Sequence, residues 1–113
     1  MLSERDRAVL REILQQIDLA EKFASGRSLQ SLQDDPMPLY AIIRCLEVIS
    51  EASRRLSNAV KSRHAEIPWQ EMAAAGNFYR HRYEDVLPPR VWKTLLEDLP
   101  PLRRIAEVEL AGE

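Results

Sequence analysis

Asn77, Tyr79, Arg80, His81, Arg82 and Tyr83 stand close together, and nowhere else in the chain do groups able to move protons and hold phosphates crowd so densely. If the stretch from Trp69 to Tyr83 is helical, Asn77 and Arg80 are three positions apart and Asn77 and His81 four, so all three share one face. These residue types suit the cutting of RNA without a metal. A base removes the 2′-hydroxyl proton, an acid protonates the leaving 5′-oxygen, and a cation stabilises the phosphorane. Histidine serves for proton transfer near neutral pH and arginine for phosphate. His81 is therefore the candidate acid/base and Arg80 the candidate phosphate clamp. Asn77 is the group that holds the histidine tautomer or contacts the phosphate. A single histidine in the motif is thin for two proton transfers, which favours a symmetric homodimer with two motifs facing one groove. The competing reading makes Phe78, Tyr79 and Tyr83 core aromatics and Arg80, His81 and Arg82 a basic surface patch.

The elements that must position this stretch read as helices. The chain has 113 residues, 45% of them hydrophobic and 30% charged, with three Gly and no sustained strand alternation. That composition implies one all-α domain over residues 1–113, with a core modest enough that a partner subunit would help. Ser3 is a helix cap, with Asp6 where a capping box wants its acid. Val9, Leu10, Ile13, Leu14, Ile17, Ala20 and Ala24 then recur at threes and fours until Gly26 stops the helix. A short helix over residues 28–32 precedes Pro36 and Pro38, which interrupt the chain. A second long helix is expected from near Pro38, with Leu39, Ile42, Ile43, Leu46, Ile49, Ala52, Leu56 and Ala59 or Val60 on one side. Two such helices predict an antiparallel hairpin. Residues 61–66 form a polar turn, and Pro68 lies in the first turn of the motif helix. Residues 84–89 break the chain again, a further helix starts at Pro89, and Pro100-Pro101 kinks or interrupts it. The expected architecture is an up-and-down bundle of four to five helices.

On the second long helix, Arg44, Glu47, Glu51, Arg54 and Arg55 alternate in sign at helical spacing, the usual mark of exposed ion pairs. The sharper reading is that Glu47 and Glu51 back the motif and orient its cations. Positive residues gather in the middle of the chain while Glu107, Glu109 and Glu113 make the tail acidic, a distribution that suits an anionic ligand. Cys45, without a second thiol, reads as a small core residue. His64, at a helix end beside Arg63, reads as a carbonyl cap or a solvent-facing group. The amino terminus is charged and no apolar run reaches membrane-spanning length, so the expectation is a cytoplasmic protein with no membrane contact.

Four stretches resemble one family in order and spacing. Residues 43–52, Ile-Arg-Cys-Leu-Glu-Val-Ile-Ser-Glu-Ala, are similar to an Arg-x-Leu-x-x-Ile-Gly-Glu-Ala helix of the HepT-like branch of the HEPN proteins. Ile67-Pro68-Trp69, then Asn77 to Tyr83, then Val91-Trp92 complete the resemblance, which covers most of the chain. The family signature reads Arg, Asn, three variable residues, His, one variable residue, Tyr. Asn77, His81 and Tyr83 fill its last three marked places, while Gly76 stands where the arginine belongs. Because a helical side chain leans toward the N-terminus, Arg80 is the candidate to cover the gap. Gly76 weakens a helix by about 1 kcal/mol relative to Ala, which suggests close approach of another backbone or a ligand, or else a loop.

The resemblance implies small all-helical toxins paired with a minimal nucleotidyltransferase antitoxin. It makes Tyr83 the hydroxyl that receives AMP, and the added phosphate and base would block an RNA groove. The reading is a HEPN-like helical bundle and homodimer acting as an endoribonuclease of a toxin-antitoxin pair, with no cofactor and no metal. Its alternative is a catalytically inactive dimer that binds RNA or the nucleotidyltransferase, with Gly76 marking the loss of chemistry. A plain helical interaction protein is the third possibility.

Overall fold

The computed structural model describes residues 2–80 and 87–112, with Arg80 described through its backbone. Helix α1 spans Glu4–Ala24 and buries Val9, Leu10, Ile13, Ile17 and Ala20, the stripe that the sequence spacing marks. Ser3 Oγ accepts the Asp6 amide at 3.0 Å, and the chain leaves the helix through Gly26 at φ +74°, where a side chain would be strained. A single turn and a half, α2 (Leu29–Asp34), is closed by a reciprocal Ser28/Ser31 capping box. Asp35 then caps α3 (Pro36–Arg54), whose first residue is proline, so the helix begins two residues before the expected start.

Helix α3 ends at Arg54, short of the expected Ala59 or Val60, and a separate turn of helix, α4 (Asn58–Arg63), follows. Two features make the break. Ser57 caps α4 through a bond from the Val60 amide, and the Asp6 carboxylate takes both the Ser57 amide (2.9 Å) and the Ser57 hydroxyl (2.7 Å). The acid expected to serve the first helix thus ties that helix to the start of the fourth. Burial pushes the Asp6 carboxyl up, but the bonds from Ser57 and Ser3 outweigh it and hold the group below its ordinary range.

The motif helix, α5, runs Trp69–Arg80, and α6 (Leu87–Lys93) carries Pro88 and Pro89 inside its first turn. Pro100 and Pro101 do not interrupt the last helix. A π turn at Thr94–Asp98 passes α6 directly into α7 (Leu99–Ala111), with the Leu99 amide reaching back five residues to Thr94 O. The two prolines bring no amides to the preceding carbonyls, and the wider π register accommodates that loss without ending the rod.

Contacts fix the direction of each rod. Arg55 pairs with Glu12, Arg54 bonds Ala73 O, Arg103 holds Asp18 and Glu21 at 2.7 Å, and His64 meets Glu109. Helices α1, α3, α5 and the α6–α7 rod therefore alternate up and down, as the bundle expectation requires, and their buried apolar residues join in one cluster. Among the described residues there is no strand, and no helix is long and apolar enough to cross a membrane.

Candidate functional site

Two anchors place α5. At its start the Trp69 indole donates to Lys61 O (3.2 Å) and His64 O (3.0 Å), which pins the helix to the end of α4. Further along, two polar side chains of α3 hold its backbone. Ser50 Oγ donates to Ala73 O at 3.0 Å and accepts the Gly76 amide at 3.1 Å, while Arg54 Nη2 donates to Ala73 O at 2.7 Å. Ser50 is buried, and so is Gly76. Gly76 lies inside a helix and not in a loop, with its amide at bonding distance of an α3 side chain.

This seam runs antiparallel: Arg54 lies level with Ala73, and Ser50 with Ala73 and Gly76. Continuing the same register places Glu47, one turn before Ser50, level with the last turn of α5. Glu47 is partly covered, at 23% side-chain exposure, with Arg44 Nη1 3.9 Å away. Glu51 is exposed and turned about 100° from Ser50, off the stripe that faces α5. Glu47 therefore lies level with the described end of the motif helix, and Glu51 on an exposed side of α3.

Asn77 follows Gly76 on α5 and is exposed, and Arg80 lies three residues further in the same helix, so their positions share one face. His81 and Tyr83 lie outside the described residues. The competing reading holds for part of the motif. Tyr79 is 3% exposed and Phe78 packs against the core, with the two rings edge to face at 5.7 Å. Thr94 Oγ1 donates to Arg90 O at 3.0 Å, which leaves the Tyr79 hydroxyl to donate to Thr94 Oγ1 at 3.3 Å. Burial pushes the Tyr79 hydroxyl above its usual range, so it stays protonated. The Arg90 guanidinium covers the Phe78 ring at 5.1 Å. These groups line a cleft of about 690 Å³ between α5, α3 and the π turn. They give the motif helix a fixed aromatic back and leave Asn77 on its open side.

Sequence reasoning missed Ser50 and placed Arg54 among exposed ion pairs. A serine within the apolar stripe of α3 was the available signal. His64 was expected to cap carbonyls or face water. Its side chain is 15% exposed and its Nε2 lies 2.6 Å from Glu109 Oε2, while Arg63 grips the same carboxylate through Nε (3.0 Å) and Nη2 (2.8 Å).

The chain matches the family described as Ribonuclease HepT-like over residues 13–109. A protein of Thermococcus cleftensis named "Probable ribonuclease HepT" is 38% identical over 94 residues, 83% of this chain and 86% of that protein. A Methanocaldococcus jannaschii protein named provisionally as an RNase is 32% identical over 108 residues, 95% of this chain and 99% of its own. A third, from Caldanaerobacter subterraneus subsp. tengcongensis and named in the same way, is 31% identical over 98 residues, 87% of this chain and 88% of its own. No solved structure matches the chain. With the resemblance at residues 43–52, 67–69, 77–83 and 91–92 now matched by a family assignment across most of the sequence, the chain belongs to the HepT-like ribonuclease family.

Proposed function

We propose that this chain is a metal-independent endoribonuclease acting as a homodimer, with Asn77, Arg80 and His81 as its working residues. The observation that carries the proposal is the placement of Asn77 and Arg80 on one face of α5, exposed at Asn77, in a member of a ribonuclease family whose motif continues into His81 and Tyr83. In the reaction the 2′-oxygen attacks phosphorus, the P–O5′ bond breaks, one proton leaves the 2′-hydroxyl for a base and one reaches O5′ from an acid. His81 takes these transfers, with a second copy supplying the second histidine across a shared groove. Arg80 holds the phosphate and develops its strongest contact as charge builds on the phosphorane. Asn77 orients His81 or the phosphate.

Regulation follows the family resemblance. A minimal nucleotidyltransferase antitoxin places AMP on Tyr83, and the added charge and bulk close the groove to RNA in a cytoplasmic toxin-antitoxin pair. The second reading, a dimer that binds RNA or the nucleotidyltransferase without cleaving, is favoured by one observation, the glycine at position 76. Incubating the purified protein with RNA in EDTA separates the two. Cleavage that falls about 100-fold or more in His81→Ala supports the enzyme. A well-folded wild-type dimer that cleaves no RNA under these conditions supports the binding module.

A further inference from the structure

We infer that Ser50 is a positioning residue of this site, and that Ser50 and Gly76 work as a coupled pair which sets how closely α5 sits on α3. The claim that Ser50 serves catalysis rests on the ribonuclease reading above; the coupling of the pair does not.

The Ser50 hydroxyl has one proton and spends it on Ala73 O, at 3.0 Å, while its oxygen accepts the Gly76 amide at 3.1 Å. A serine Oγ projects only a short way from its own helix. It reaches two backbone groups of α5 at hydrogen-bond distance, so the two helices lie close at this point, and Gly76, buried there, adds no side chain to the approach. Arg54 grips the same Ala73 carbonyl from one turn further along α3. The backbone of α5 is therefore held against both sliding and rotation in the turn immediately before Asn77 and Arg80. The two residues are also the places where residues 43–52 and 76–83 differ from the family patterns, a serine standing for glycine and a glycine for arginine. In the fold they touch.

Two measurements test this. The first is a stability cycle on Ser50→Gly, Gly76→Ala and the double variant. In open helix, alanine in place of glycine is stabilising. Here Gly76→Ala lowers the melting temperature when Ser50 is present and ceases to lower it in the Ser50→Gly background. Additive shifts, or a rise in melting temperature from Gly76→Ala alone, overturn the coupling.

The second measurement compares Ser50→Ala with Ser53→Ala, a buried hydroxyl whose bond runs to Ser50 O inside α3. Ser50→Ala shifts the amide resonance of Gly76, one of only three glycines, and lowers kcat for RNA by about tenfold with KM unchanged. Ser53→Ala loses stability without that loss of kcat. Equal kcat losses in the two variants, or none in Ser50→Ala, overturn the positioning role. If the wild-type protein cleaves no RNA, the positioning role falls together with the ribonuclease reading, and the stability cycle still decides the coupling.

Discussion

At the scale of single residues, position 76 carries a glycine where the family signature has an arginine, and its amide bonds the Ser50 hydroxyl at 3.1 Å. Gly76 is buried within α5, whose backbone Ser50 and Arg54 hold against α3. In the proposed mechanism the cation for the phosphate is Arg80, one turn along the same helix. Gly76, Asn77 and the rest of the motif could be recognised in the sequence because side-chain type and spacing alone define them. Ser50 was marked only as a serine within an apolar stripe, and its partners, backbone atoms 23 and 26 positions away, are encoded by no side-chain pattern. Tyr83 carries the regulatory claim at this scale. Mixed with ATP and the partner nucleotidyltransferase, the wild-type protein should gain the mass of one or more AMP groups, and Tyr83→Phe should gain none. An unchanged wild-type mass ends the switch hypothesis.

Among the elements, α1 and the first part of α3 were plain from their apolar period, because a stripe of Leu and Ile at threes and fours has one way to be buried. The break between α3 and α4 was hidden. Leu56 and Val60 continue the stripe in phase, and both are buried, so periodicity runs straight through a break set by the Asp6–Ser57 contact 51 positions apart. At Pro100-Pro101 a kink or an interruption was expected, and the helical run continues through the π turn at Thr94–Asp98 into α7. Between α4 and α7, Glu109 acts as a charged tie to Arg63 and His64. The bonds from Arg63 lead, burial opposes them, and His64 assists, leaving the carboxyl at about 2 instead of 4.5. A carboxyl lowered in the folded state contributes stability that is full above its unfolded value and is lost as pH falls through its folded one. The melting-temperature advantage of the wild type over Glu109→Gln should therefore be greatest above pH 4.5 and shrink toward pH 2. A difference that stays constant across that window contradicts the tie.

For the whole molecule, alternating rods put the two ends of the site on separate supports. The start of α5 is pinned to α4 through Trp69, its middle to α3 through Ser50 and Arg54, and its aromatic back to the π turn through Tyr79. What remains open is the side bearing Asn77, and a groove shared with a second copy is the arrangement that would supply two histidines to one phosphate. The mechanism requires the 2′-oxygen of the substrate itself as nucleophile. The most direct measurement uses an RNA oligonucleotide and a copy with a single 2′-deoxy sugar at the cleaved position, both in EDTA, with product masses read. The expected products are a 2′,3′-cyclic phosphate and a 5′-hydroxyl end from the RNA, with no cleavage at the deoxy position. Cleavage that persists at the deoxy sugar, or that appears only when a divalent metal is restored, would contradict this mechanism.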